Sequence, residues 1–122
     1  MNDGGQDSLR HLNERLLAFA RERNWEQFHS PKNLSMALIA ECAELVEHFQ
    51  WLTQEQTQDL DPEKHEQVAM ELADILIYLV RIAERLDIDL VEAANHKIGI
   101  NRQRYPKERV FGDARHADEY ED

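Results

Sequence analysis

The chain is predicted to be all-helical, and three observations predict it. Glycine and proline are scarce, four and three in 122 residues, which disfavours turn-rich β architecture. Apolar residues recur three and four positions apart through four long stretches, and nowhere alternate as they would in a strand. Each stretch opens on a serine or aspartate suited to capping a helix, twice followed by proline. The length is that of one domain, with a modest core and little room for a deep cavity.

Ser8 caps a first helix over residues 9 to about 23, with Leu9, Leu12, Leu16, Phe19 and Ala20 at helical spacing and Asn24 ending it. A short aromatic-rich connection, residues 25–29, follows. Ser30-Pro31 starts a second helix, to about residue 52, whose apolar arc is Leu38, Cys42, Leu45, Val46, Phe49 and Leu52. Thr53 suits a helical turn. Asp61-Pro62 starts a third helix, to about residue 86, apolar nearly all round. Its one polar stripe is Gln67, Glu71, Asp74, Tyr78, Arg81 and Arg85. So much apolar surface on a small domain predicts a partner subunit, with Ile77 and Val80 facing it. Asp89 caps a fourth helix over residues 90–104, stopped by Tyr105-Pro106. Residues 1–7 and 109–122 read as flexible polar and acidic termini around a domain at 8–108.

The formal net charge is −11, with five acids against one base in residues 112–122. No basic stripe suits a nucleic-acid polymer. The most apolar run, residues 72–80, contains Asp74 and is too short to span a bilayer. The single Cys42 cannot form a disulfide within the chain, and no charged-then-apolar leader opens it. A reducing, cytoplasmic setting is expected.

Chemistry concentrates in two short motifs, Glu41-Cys-Ala-Glu44 and Glu71-Leu-Ala-Asp74. Acids three positions apart share one helix face. A single such pair is ordinarily solvated surface. Here the second pair occupies the only polar stripe of the most apolar helix, and both pairs sit at the same angle to their apolar arcs. If the two helices are neighbours, four carboxylates converge, and ionised carboxylates need a cation between them. All-oxygen ligands select a hard ion, Mg²⁺ first and Mn²⁺ next. Glu47, a turn beyond Glu44, lies further from the apolar arc. A di-iron bundle would need Glu-x-x-His on two helices, and none of Glu41, Glu44, Glu71 or Asp74 is followed by histidine at the third position; zinc would need a closer histidine spacing than the six scattered histidines show. Cys42 reads as a small core residue.

A larger set of residues carries a resemblance. Trp25-Glu-Gln-Phe-His29, Pro31-Lys-Asn-Leu34 and Glu41-x-x-Glu44-Leu-x-Glu47-x-Phe49-Gln-Trp51 are followed by Glu71-Leu-Ala-Asp74 with Tyr78, then Lys97 and Asn101-Arg-Gln-Arg-Tyr105-Pro106. Over residues 8–108 this resembles the MazG-like all-α nucleoside triphosphate pyrophosphohydrolases, closest to their dCTP pyrophosphatase branch. The resemblance implies a bundle of four main helices assembled as an intertwined homodimer or homotetramer. It implies Mg²⁺ held by Glu41, Glu44, Glu71 and Asp74, and hydrolysis between the α- and β-phosphates; chemically, an acid such as Glu44 or Glu47 could take the water's proton, and the sequence does not choose between them. It implies phosphate contacts at Lys97, Asn101 and Arg102, beside Tyr105, and base contacts at Trp25, Trp51 and Tyr78, with His29 nearby. One departure concerns the base: animal dCTP enzymes carry a histidine nine residues before the first tryptophan, where this chain has Leu16. Two alternatives stand: a related enzyme acting on dUTP or several triphosphates, and a non-catalytic helical oligomer that binds nucleotide or a protein partner.

Overall fold

A computed structural model describes residues 8–115 and Glu119. The expected flexible segment 1–7 lies outside the described residues, as do 116–118 and 120–122 of the acidic tail. The elements are α1 (Leu9–Glu22), a 3₁₀ turn (Glu26–Phe28), α2 (Pro31–Phe49), α3 (Gln54–Thr57), α4 (Pro62–Arg85), α5 (Leu90–Arg104) and α6 (Lys107–Val110). No strand occurs among the described residues, and the expectation of an all-α fold with four main helices holds.

The capping residues read from the sequence do the capping. Ser8, Ser30, Asp61 and Asp89 accept from the backbone N–H groups of His11, Asn33, Lys64 and Glu92 at 2.8 to 3.1 Å. Each satisfies a donor that the first helical turn leaves without a partner. Thr53 and Gln56 exchange bonds in a capping box that starts α3. This is why α2 ends at Phe49, three residues earlier than expected: Thr53 must be extended to cap the next turn.

Two helices end on the same device. Asn24 and Asp87 take left-handed backbone, φ 54° and 55°. The next residues, Trp25 and Ile88, donate back to the carbonyls of Ala20 and Ala83. Asn and Asp tolerate this conformation better than other non-glycine residues. At the end of α1 the reversal sends Trp25 back alongside the helix it leaves.

Residues up to Ile88 form one compact unit and residues from Asp89 a second. In the first, α4 packs against both α2 and α1. Its core is Ala20, Leu34, Val68, Val80 and Ala83. The expectation that Val80 faces a partner chain is overturned, because Val80 is only 3 % exposed within its own chain. Ile77, expected beside it, is half-buried and lines an open cavity. The apolar surface left open on α4 is instead Met70, Leu72, Leu76 and Leu79, and on α2 it is Met36, Ile39 and Val46. Periodicity could not choose between these faces, since α4 is apolar on nearly every side. The second unit holds α5 and the short α6, which crosses the boundary drawn at residue 108.

Candidate metal centre and substrate cavity

Because α2 and α4 pack together, the two acidic motifs meet. Carboxylate oxygens of Glu41, Glu44 and Glu71 lie within 4.8 Å of one another. Glu41 and Glu71 are half-buried, while Glu44 is exposed at the rim. Oε2 of Glu41 and Oε2 of Glu71 are buried with no hydrogen-bond partner. Buried polar atoms are nearly always satisfied, so two orphaned acceptors facing one space mark a place for a cation. Three carboxylates with no nitrogen or sulfur among them suit a hard divalent ion, and the residues present fit one.

The electrostatics follow from crowding like charges. Glu71 is pushed up from 4.5 to about 7, first by its side-chain contact with Glu44, then by burial and by Glu41. The neighbouring Glu71 side chain acts to lower Glu41, but burial and the proximity of Glu44 and Asp74 outweigh it and hold the Glu41 carboxyl above the usual range. Without a cation the cluster keeps a proton that a cation would displace.

Asp74, the fourth expected ligand, is exposed and not among the three converging acids. It lies one turn beyond Glu71 on α4 and lines a neighbouring cavity of about 250 Å³. Its charge, with that of Glu41, also reaches Tyr78, whose hydroxyl is raised first by burial. Asp74 therefore joins the acidic centre to the cavity. The other walls come from α1 (Leu16, Phe19, Ala20), the connection (Trp25, His29), α2 (Leu34) and α4 (Ile77, Tyr78, Arg81). Trp25 meets Phe19 edge-to-face, centroids 5.7 Å apart. Leu16, where the resemblance led to an expected histidine, faces this space.

Three of the expected aromatic and histidine contacts, Trp25, His29 and Tyr78, thus share one cavity, while Trp51 does not line it and is 86 % exposed. Glu47 is exposed on α2, outside the converging set. Lys97 and Asn101 share one face of α5 at four-residue spacing, with Arg102 next in sequence, while Tyr105 leaves the helix as its C-cap. The Arg104 guanidinium lies 5.8 Å from the Tyr105 ring centre. Sequence reading missed Phe19 and Arg81. Phe19 looked like any core residue of α1, and Arg81 like one more charge on the polar stripe, paired with an acid. Arg81 does pair with an acid, Glu84 at 3.2 Å, but also reaches His29, at 3.3 Å.

The MazG-like family model matches residues 37–119. The dCTP pyrophosphatase 1 of Mus musculus is 47 % identical over 98 residues, 79 % of this chain and 58 % of the relative. The protein of the same name from Homo sapiens is 49 % identical over 90 residues, 72 % of this chain and 53 % of the relative. The chain therefore spans just over half the length of the curated relatives it matches. Among solved structures, a pyrophosphatase from Archaeoglobus fulgidus DSM 4304 superimposes with a TM-score of 0.77 at 34 % identity, covering 81 % of this chain and 93 % of the other. With the family model matching more than half its length and a solved relative superimposing along nearly its whole fold, the chain belongs to the MazG-like family.

Proposed function

We propose that the protein is a Mg²⁺-dependent nucleoside triphosphate pyrophosphohydrolase, cleaving between the α- and β-phosphates of a deoxynucleotide to give the monophosphate and pyrophosphate. The preferred substrate is dCTP or a modified dCTP, and the role is removal of surplus or non-standard nucleotides. One observation carries the reading: the Glu41–Glu44–Glu71 cluster, with its two orphaned oxygens, adjoins through Asp74 a cavity walled by flat aromatic side chains. A scaffold has no use for converging acids beside such a cavity. The names of the relatives support the choice of cytosine.

Glu41, Glu44, Glu71 and Asp74 would hold the ion, which when bound neutralises phosphate charge and makes a water more acidic. The protein's own part is positioning, as phosphoryl chemistry requires. Glu47, one turn beyond Glu44 and outside the cluster, is assigned the proton of the attacking water. Lys97, Asn101 and Arg102 are assigned the phosphates. Trp25, Phe19 and Tyr78 offer faces to the base. The open apolar stripes of α2 and α4 support assembly as a homodimer or homotetramer.

The test is a panel of deoxy- and ribonucleoside triphosphates with Mg²⁺, Mn²⁺ or chelator, products separated by ion exchange. Monophosphate plus pyrophosphate, with dCTP preferred and chelator abolishing turnover, is the expected result. Diphosphate plus orthophosphate, or binding without turnover, would overturn it, the latter leaving a nucleotide-binding oligomer.

A further inference from the structure

Arg81 is the buried charged residue of the described chain, 2 % exposed, and it lines the cavity. Its Nη1 bonds Glu84 at 3.2 Å, its Nη2 lies 3.3 Å from Nδ1 of His29, and its Nε is buried without a partner. A guanidinium keeps its protons and can only donate. His29 Nδ1 must therefore accept, which leaves the ring neutral with its single proton on Nε2. Charging the ring would set two donors against each other beside a buried cation.

The surroundings act in the same direction. Burial, then Arg81, then Arg85 hold His29 below its ordinary value, against the smaller pull of Glu26 from the 3₁₀ turn. α4 further lines the shared cavity with Asp74 and Tyr78, while α1 and α2 contribute the uncharged Leu16, Phe19, Ala20 and Leu34.

We propose that Arg81 is a positioning residue for base recognition: it holds His29 as a neutral ring whose Nε2–H is the donor left for the cavity, so the cavity takes a base edge presenting an acceptor, such as a pyrimidine carbonyl oxygen. The proposal rests on the nucleotide reading above and adds a specificity element to it.

Nitrogen–proton NMR of the imidazole reads the tautomer without any substrate. The wild-type ring is expected neutral with the proton on Nε2 at pH 7; a charged ring, or a proton on Nδ1, overturns the proposal. The second readout is KM for dCTP against pH in Arg81→Met and in the double variant with His29→Gln. In Arg81→Met the ring loses the donor that obliges Nδ1 to accept and the nearest charge that keeps it neutral, so His29 should protonate more readily and KM should rise over wild type toward acid pH, to at most about tenfold at pH 5.5, the limit for a ring restored fully to the ordinary value of about 6.5. The ratio should approach a pH-independent value at pH 8, and kcat should diverge less. The double variant, whose amide cannot charge, should lose the added pH dependence. A loss in Arg81→Met that is equal at every pH marks a merely structural arginine and overturns the proposal. Should Arg81→Met not fold, Arg81→Gln serves, since a neutral amide removes the cation and, able to accept as well as donate, no longer obliges Nδ1 to accept. If no triphosphate is hydrolysed, the pyrophosphohydrolase reading fails by itself, and the dissociation constant of dCMP replaces KM in the same series.

Discussion

Glu41 on α2 and Glu71 on α4 each bury a carboxylate oxygen that no donor satisfies, within a cluster whose ligand atoms all lie within 4.8 Å. The apo-protein holds this arrangement against charge repulsion. Neutralising one acid without changing its shape should therefore separate activity from stability. Glu44→Gln and Asp74→Asn are each expected to lose nearly all turnover while keeping the helical circular-dichroism spectrum, with a metal-free Tm equal to or above that of wild type. Most of the activity surviving at saturating Mg²⁺ in either variant would remove that residue from the ligand set.

The same crowding gives metal-free stability a pH dependence of definite sign. Glu71 is raised from 4.5 to about 7 by Glu44, burial and Glu41. The native state thus binds this proton more tightly than the unfolded chain does. That contribution is fully present below about pH 4.5 and is lost as pH rises through about 7. In chelator, the Tm of Glu71→Gln should match wild type near pH 5 and exceed it by pH 8. Mg²⁺ should raise the wild-type Tm most at pH 8, because there it displaces least proton; at about a hundred times its dissociation constant a bound ligand adds about 2.7 kcal/mol. A Tm difference between the two proteins that ignores pH would contradict the shared proton.

How much of this was legible in the sequence depended on how local the signal was. The caps at Ser8, Ser30, Asp61 and Asp89 act within three residues, so the pattern alone identified them. The acid pairs were legible for the same reason, since three-residue spacing sets their helix face. The choice of exposed face on α4 was not legible. Val80 and Leu72 are equally apolar, and only the packing of α1 and α2 decides that the first is buried and the second open. Arg81 was least legible of all. Its partner His29 is 52 positions away in the chain, and a charge on a polar stripe gives no sign of being buried.

The open stripe on α4 carries a prediction about assembly. Leu72, Leu76 and Leu79 occupy one face and are 39 to 51 % exposed. Contiguous apolar surface of this kind marks an interaction site. Leu72→Glu combined with Leu79→Glu should shift sedimentation toward the monomer, because a carboxylate buried without a partner is costly. Wild type sedimenting as a monomer at micromolar concentration would overturn the proposed assembly.

The two tryptophans should behave differently. Trp25 packs on Phe19 at the cavity wall, while Trp51 is 86 % exposed at the end of α2. Trp51→Ala therefore removes little packing from the protomer, and its Tm should stay close to wild type if the side chain remains open in the assembled protein. Trp25→Ala should lower Tm, since aromatic pairs contribute about 0.5–1.5 kcal/mol beyond area burial. Stacking of a base on an aromatic ring is worth roughly 1–3 kcal/mol. Where that energy is expressed in ground-state binding, KM rises about 5- to 150-fold with kcat changed less. Trp25→Ala should show this together with weakened discrimination among bases, because a loosely held ring presents its edge poorly to His29. Trp51→Ala should show it only if assembly or closure brings that ring onto the base. A raised KM with an unchanged Tm would identify Trp51 as a substrate contact, and an unchanged KM for every triphosphate would exclude it.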